Sequence, residues 1–490
     1  MNVLLINPST GYYNRALFNP LGLVSIGSHL RRLGNNVKLV DDCVEKTNIN
    51  KLLDEFKPDI LGVSLMSSRG LKDALRVSKA AHKRGIPVAW GGAMPSMQHE
   101  ICLENENVDY VLFSEGEFTF EELLEVLRGN MDKHDVLSLS YKENGKIIRN
   151  PDRPFADLKD MPISDFSLID VEKYMQQYLG CQKMMYLYSS KGCPCSCTFC
   201  TNNYFHKCTH RKRPNEYVIE EIKYLIENYG LDGVYFSDEL WVTKKEDAID
   251  FCRRVKENDL HFHFGVQCRI GMFSREEFEM LYDAGCRWAL FGIETGSREM
   301  MRKINKRINY DRIVPTFKEL NEIGITTVAT FIIGYPGETV EEVKETVGLL
   351  NQVTANLTPV YHFTPLPGTK LYNEAIESGR YKPAKSLKEL SKIVATETIG
   401  QNLSDVPTRD LRVIRCCFNW KAFTKKDAIQ DESRPFEFAK DTIISGLHAI
   451  SQKGPIFFFL DGFRAFKEFA YTFWYSHAYP KIIKKYDIEL

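Results

Sequence analysis

The feature that most constrains this chain is one loop, Lys191-Gly192-Cys193-Pro194-Cys195-Ser196-Cys197-Thr198-Phe199-Cys200, which follows the apolar, strand-like run from Met184 to Tyr188. Cys193, Cys197 and Cys200 fall at C-x3-C-x2-C, close enough for three thiolates to hold one metal cluster. A [4Fe–4S] cluster is ordinarily held by four cysteine thiolates, so a loop offering three leaves one iron open to another ligand. Cys195 lies outside that spacing, and its presence allows a different choice of three. A structural zinc loop is the alternative, although zinc sites ordinarily bring paired C-x2-C or Cys/His sets totalling four ligands.

The thirteen cysteines, in a chain that opens on the buried-strand pattern Met1-Asn2-Val3-Leu4-Leu5-Ile6 with no basic segment before it, argue for a reducing compartment, and the cytoplasm fits best. No apolar stretch reaches the roughly 20 residues needed to span a bilayer. With 490 residues the chain has room for two to four domains. A net charge of -1 supplies no basic field for nucleic acid, and the short basic run Lys207 to Arg213 reads as a solvated face. No nucleic-acid partner is expected.

Val3 to Ile6, Asn36 to Val40, Ile60 to Ser64, Pro87 to Trp90 and Tyr110 to Phe113 are short apolar runs separated by helix-like segments such as Leu71 to Arg84. Strands alternating with helices predict an α/β fold with a doubly wound parallel sheet over residues 1–135. Ligands bind such sheets at the carboxyl ends of the strands, here Asn7-Pro8-Ser9-Thr10-Gly11, Ser64-Leu65-Met66 and Gly91-Gly92, which should form one crevice. Asn144-Gly145 reads as a hairpin turn, and the prolines from Pro151 to Pro162 interrupt regular structure, so residues 136–180 are taken as a linker. Asp165 and Asp170 are read there as helix caps.

From 181 to 380 the alternation resumes, with strand candidates Met184 to Tyr188, Val234 to Phe236, His263 to Val266, Trp288 to Phe291, Val328 to Ile333 and Val360 to Phe363. Six strands predict a partial (β/α) barrel with its chemistry at the carboxyl ends of the strands. Those ends carry Ser237-Asp238-Glu239, Gln267 to Arg269, Glu294-Thr295-Gly296, Gly334 to Glu338 and Pro365 to Thr369. Residues 381–490 read as a small helical domain, with helices over Lys382 to Glu397 and Asp410 to Ala422 and aromatic clusters at Phe457 to Leu460 and Tyr471 to Tyr475. Lys481, Lys484 and Lys485 beside those aromatics leave room for peripheral membrane contact. The pair Cys416-Cys417 reads as buried, with a hydrogen-donating thiol as the alternative.

The cysteine loop resembles the cluster loop of the radical S-adenosylmethionine (SAM) superfamily. The Asn19-Pro20-Leu21-Gly22-Leu23 segment, Gly91-Gly92, Glu115-Gly116-Glu117, Gly334-Tyr335-Pro336-Gly337-Glu338-Thr339 and Pro365-Leu366-Pro367-Gly368-Thr369 resemble the branch of that superfamily whose barrel follows a cobalamin-binding domain. The resemblance implies that Cys193, Cys197 and Cys200 ligate a [4Fe–4S] cluster whose open iron chelates SAM, and that Phe199 lies beside the adenine. It further implies that Glu294 holds polar groups of SAM, that the backbone at Gly334 and Pro336 receives the adenine, and that Asp238 and Arg269 contact SAM or substrate. Ser64, Gly91 and Gly92 would line the path of the corrinoid's nucleotide tail, since glycine permits close backbone approach.

The implied function is reductive cleavage of SAM, with a flavodoxin or ferredoxin as electron donor, and hydrogen abstraction from an unactivated carbon of a small molecule, leading to cobalamin-dependent C-methylation. Radical cyclisation or rearrangement, as in the anaerobic porphyrin cyclases of the same branch, is the alternative. A methylthio-transferring RNA enzyme is the weaker option, because the N-terminal region has no second three-cysteine set. A non-enzymatic corrinoid or iron–sulfur carrier is the rival from another class, but it leaves Glu294 and the Gly334 to Glu338 loop unexplained.

Overall fold

The computed structural model describes residues 1–10, 18–44, 46–178, 180–393, 400–424, 474–475 and 478–489. The chain divides into two compact units, one of Met1–Gln176, Glu220–Tyr229 and Pro383–Ala395, the other of Gln177–Ile219, Gly230–Lys382 and Thr396–Leu490.

The first unit is built on β1 (Asn2–Asn7), β2 (Asn36–Asp41), β3 (Ile60–Ser64), β4 (Val88–Gly91), β5 (Tyr110–Leu112), β6 (Leu139–Glu143) and β7 (Lys146–Arg149). They form one sheet in the order β2-β1-β3-β4-β5-β6-β7. The first five strands are parallel. Val3, Leu4, Leu5 and Ile6 are all buried because helices cover both faces of the sheet. Leu4 and Ile6 join the core under the helices Ile49–Phe56 and Leu71–His82, whereas Val3 and Leu5 join that under Leu21–Arg32 and Glu117–Leu127. The Asn144-Gly145 turn, left-handed at both residues, closes the β6–β7 hairpin, which pairs antiparallel onto β5. The sheet therefore runs on to Arg149, beyond the five strands read from apolar runs.

The second unit contains β8 (Gln176–Tyr178), β9 (Cys181–Leu187), β10 (Ser190–Gly192), β11 (His210–Lys212), β12 (Gly233–Phe236), β13 (His263–Cys268), β14 (Cys286–Glu294), β15 (Thr326–Ile333) and β16 (Val360–His362). The larger sheet has the order β16-β15-β14-β13-β12-β9-β8. Its six strands from β9 to β16 are parallel and make the partial barrel, while β10 and β11 form a small antiparallel ribbon. Close packing between neighbouring strands is visible at Gly265 on β13, where a Cβ would stand 1.6 Å from Nε1 of its β14 partner Trp288.

The described part of residues 381–490 is shared between these two units. Within the first, Leu390 is buried in the sheet core with Ala384, Leu387 and Ile393 packed against it, and the Ser68 hydroxyl donates to the Ile393 carbonyl. The helix there is only Leu387–Leu390, capped by Ser386. Within the second, the helix Thr408–Thr424 packs along β16, and the helix Pro480–Lys485 docks on it through Lys485 Nζ and Tyr486 Oη, which donate to Asp410 Oδ2 at 2.7 and 3.1 Å. Lys485 is thus tied down by an ion pair, and the aromatic positions 457–460 and 471–473 lie outside the described residues. No described helix is long and apolar enough to cross a membrane.

Removing the buried Leu390 side chain opens a cavity in the N-terminal sheet core. Leu390→Ala is expected to destabilise that unit by about 2–5 kcal/mol, seen as a lowered melting transition by calorimetry.

Candidate active site

The cysteine loop is fastened before any thiol is considered. Asp238, at the end of β12, is fully buried and accepts from the amides of Ser189 and Ser190 at 2.8 and 2.9 Å and from the Ser189 hydroxyl at 2.7 Å. Burial pushes its carboxyl up to about 6, although Lys212 and these bonds oppose the shift. Burial likewise pulls the Lys212 ammonium, which donates to Ser189 Oγ, down to about 8. The Gly192 amide donates to Glu239 Oε2 at 2.9 Å. Gly192 is left-handed at φ +85, and a Cβ there would lie 2.4 Å from the Thr209 carbonyl oxygen, so the turn into the loop requires glycine.

Three asparagines hold the loop itself. Asn202 accepts from the Cys193 amide at 2.8 Å and donates to the Cys193 carbonyl at 2.6 Å. Asn203 donates to the Cys197 carbonyl at 2.9 Å, and Asn305 donates to the Ser196 carbonyl and hydroxyl at 2.9 and 2.8 Å. The Thr198 amide reaches the Ile304 carbonyl at 3.0 Å, and its carbonyl accepts from Leu371 at 3.0 Å. Backbone geometry is thus set by groups other than the thiols. This is the preorganisation a metal site needs.

Cys193 donates to Cys195, a bond that pulls the Cys195 thiol down to about 6, with Arg269, Lys306 and Arg307 adding to the shift, and pushes Cys193 up. Burial raises Cys197, and raises Cys200 to about 11. Among the described residues no three His, Cys, Asp or Glu side chains converge as ligands of a single ion. Thiolates that hold a cubane bind different irons and need not converge. The donor set and the cations around it therefore suit an anionic iron–sulfur cluster.

Glu294 ends β14 beyond a register shift between Gly292 and Glu294. It is a non-glycine residue at φ +73, a conformation that costs energy and recurs at functional sites. Lys306 Nζ donates to its Oε1 at 3.0 Å, and both side chains are at most 10% exposed. A Cβ on Gly292 would stand 2.2 Å from Glu294 Oε1 and 2.9 Å from Lys306 Nζ, so glycine makes room for the pair. Arg269, one residue past β13, donates through Nη2 to the carbonyls of Lys306 and Arg307 at 2.6 and 3.0 Å. Asn305 and Arg307 are both left-handed, which turns the chain sharply on either side of Lys306. The structure thus brings Arg269 and Glu294 together with the cysteine loop. Sequence analysis does not single out Lys306, which lies in a polar turn after a helix rather than at a strand end.

Gly334 is left-handed at φ +89, and its amide donates to Glu338 Oε2 at 2.5 Å, as does that of Tyr335 at 3.2 Å. Burial pushes the Glu338 carboxyl up to about 8. The Pro336 carbonyl accepts from Lys303, and the Phe199 and Tyr335 rings meet edge to face at 5.9 Å. Asp238, Gly334 and Pro336 therefore have polar groups already engaged within the protein. Cys416 and Cys417 are buried, which pushes their thiols up to about 11 and 12.

In the first unit, Ser64 and Gly91 are paired at the ends of β3 and β4. The Leu65 amide donates to the Gly91 carbonyl at 2.8 Å, and the Leu65 carbonyl accepts from Met94 at 3.0 Å. Pro8 lies against Gly70, and the Ser9 amide donates to Asp73 Oδ2 at 2.9 Å, so the β1, β3 and β4 loops adjoin; Gly11 is outside the described residues. Gly92 is required by its own turn, being left-handed with the Leu65 carbonyl 2.8 Å from any Cβ. Gly91 is different: a Cβ there would meet only the Leu112 carbonyl, at 3.8 Å, leaving open space above it. Met66 is 73% exposed beside these loops. Open space over glycine together with exposed apolar surface suits a large ring system. His29 is buried with Nε2 2.7 Å from Glu121, and His82 is the last residue of the helix Leu71–His82.

Anaerobic reconstitution tests the thiol assignment: Cys193→Ala, Cys197→Ala and Cys200→Ala are each expected to lose the cluster, and Cys195→Ala to keep it, as measured by iron and sulfide content and the visible spectrum.

Comparison with known proteins completes the picture. Residues 187–350 match the Radical SAM superfamily, and residues 15–124 match the B12 binding domain. An uncharacterized methyltransferase of Pyrococcus horikoshii is 31% identical over 387 residues, spanning 77% of this chain and 83% of that protein. The cytidylyl-2-hydroxyethylphosphonate methyltransferase of Streptomyces wedmorensis is 25% identical, over 83% of this chain and 86% of its own length, and the anaerobic magnesium-protoporphyrin IX monomethyl ester cyclase of Rubrivivax gelatinosus is 24% identical, over 76% and 70%. The fold matches that of TsrM from Kitasatospora setae, a radical SAM methyltransferase solved with cobalamin and a [4Fe–4S] cluster, with a TM-score of 0.65 at 18% identity, covering 78% of this chain and 76% of that one. The chain belongs to the radical SAM superfamily, in the branch that carries a B12 binding domain ahead of the barrel.

Proposed function

We propose that this enzyme methylates an unactivated carbon of a small-molecule substrate, using the barrel for SAM and the N-terminal domain for cobalamin. The observation that carries the proposal is the three-thiol loop, pinned by Asn202, Asn203 and Asn305, with the buried Glu294–Lys306 pair beside it. When bound, the cluster, SAM and corrinoid supply the radical chemistry and the transferable methyl group.

In this reading Cys193, Cys197 and Cys200 hold the cluster, and Asp238 fixes the strand that leads into their loop. Glu294 and Arg269 hold the polar groups of SAM, Phe199 flanks its adenine, and the turn at Gly334 and Pro336 shapes that pocket. Ser64, Gly91 and Gly92 line the corrinoid crevice, with His29 too deeply engaged to serve as a cobalt ligand. The N-terminal sheet, which runs on through β6 and β7, acts as the corrinoid domain, and residues 181–380 act as the SAM domain. The enzyme works in the cytoplasm, with a flavodoxin or ferredoxin as electron donor. Methyl transfer is preferred because the relatives from Pyrococcus and Streptomyces are named methyltransferases. Likeness to the porphyrin cyclase supports radical cyclisation as the second reading.

Reduced wild-type enzyme is expected to form 5′-deoxyadenosine from SAM. Glu294→Ala should weaken SAM binding about tenfold or more, the loss of one hydrogen bond to a charged group, without lowering iron content. Unchanged affinity in equilibrium binding would sink the role given to Glu294. Gly91→Val is chosen to separate corrinoid binding from folding, because the Cβ it adds meets only the Leu112 carbonyl, at an ordinary contact distance of 3.8 Å. That variant should melt like wild type yet retain no cobalamin after reconstitution, as read from the corrin absorption.

A further inference from the structure

Gln267 stands with Arg269 toward the carboxyl end of β13, and the function proposed above uses Arg269 alone. The barrel sheet has two unlike faces. On one, Phe236, Phe264 and Phe291 meet Phe251, Phe278 and Phe317 of the helices Lys245–Glu257, Arg275–Asp283 and Ile313–Ile323. That outer face is buried along β12 to β16. Successive side chains of a strand alternate between faces, so Tyr235, Gln267, Leu290, Val328, Ile332 and Tyr361 lie on the inner face, and each of them is partly exposed.

The inner face is filled at its base. Trp288 lies across Gly265, and Met184, Tyr186 and Trp288 are buried there, with the Tyr186 and Tyr235 rings 5.4 Å apart. The next row toward the strand ends pairs Gln267 with Leu290 and Leu290 with Val328, and the row after it pairs Gly292 with Thr330. Between the filled base and the strand ends at Arg269 and Glu294, β12 to β16 place no charged side chain on this face. The Thr330 hydroxyl is spent on the Phe291 carbonyl at 3.4 Å. Gln267 is held by its backbone, its carbonyl accepting from the Trp241 amide at 3.1 Å, yet its carboxamide makes no hydrogen bond among the described residues.

We propose that the inner face of the barrel takes an uncharged, largely apolar part of the substrate, and that the Gln267 carboxamide orients it through an amide, carbonyl or hydroxyl group. The proposal rests on the reading of the strand ends as the SAM site. Small-molecule sites are mostly apolar, with a few placed polar groups that fix orientation, and Gln267 between Tyr235 and Leu290 fits that description. A carboxylate, phosphate or ammonium on this face would lose its water and find no counter-charge. Arg269 is engaged by the Lys306 and Arg307 carbonyls, and Glu294 by Lys306. A charged group of the substrate therefore stays outside the barrel. The carboxamide both donates and accepts, so Gln267 selects by hydrogen bonding and leaves the chemistry to other groups.

The test uses three probes of one size and three charges, naphthamide, naphthoate and naphthylmethylammonium, in equilibrium dialysis against the full-length, anaerobically reconstituted enzyme with SAM. Wild type should bind the amide about tenfold or more tightly than either ion. Gln267→Ala should weaken the amide about fivefold, the loss of one hydrogen bond between neutral groups, with iron content, melting transition and SAM affinity unchanged. Gln267→Glu should turn the preference toward the ammonium, a reversal that a merely structural glutamine would not produce. Ions bound as tightly as the amide overturn the proposal, as do an unchanged amide affinity in Gln267→Ala and a wild type that binds none of the three. Weakened SAM binding at unchanged amide affinity overturns it too, by giving Gln267 to SAM. A wild type without iron, or without 5′-deoxyadenosine formation, overturns the underlying SAM-site reading and this proposal with it, and is told apart by those two measurements made before any probe is added.

Discussion

The buried Asp238 carboxylate is the constraint on which the cysteine loop depends. A loop that must offer three thiols and leave one iron open cannot rely on its metal for shape, so its entry has to be fixed by the protein. Asp238 does this by accepting from both amides at the β9–β10 junction. A carboxylate in that position is expensive to desolvate. It persists because several donors converge on it, with Lys212 close enough to offset part of its charge.

The second buried charge pair, Glu294 with Lys306, follows a different logic. Ion pairs taken out of water are poor sources of stability, and Glu294 adds backbone strain at φ +73. Both costs are accepted at a strand end facing the chemistry, with Gly292 making the space. The arrangement keeps a carboxylate, an ammonium and the Arg269 guanidinium at fixed positions beside three thiols.

The N-terminal unit shows how glycines in one motif differ. Gly92 is demanded by the turn it makes, whereas Gly91 has open space where a side chain would go. Only the second carries information about a ligand. The segment 383–393, which follows the barrel in sequence, buries Leu390 in this unit's core, so a stretch from beyond the barrel contributes to the fold of the N-terminal unit.

The sequence by itself determined the architecture and the reactive loop. Short apolar runs alternating with amphipathic stretches specify parallel sheets, and C-x3-C-x2-C is a local pattern that brings three thiols within reach of one metal cluster. The nearness of the strand ends that carry Glu294 and Arg269 was also legible, because the carboxyl ends of parallel strands gather at one end of a barrel. Tertiary structure alone decided which partners these residues take. Lys306 lies 12 residues from Glu294 and in no periodic pattern, and Asn305 reaches Ser196 across 109 residues. Leu390 gave no sign of belonging to the first unit, because a short amphipathic helix presents the same pattern whichever core receives it. The antiparallel β6–β7 hairpin was visible as a turn, but its pairing with β5 depends on an open sheet edge, which exists only after the sheet has formed.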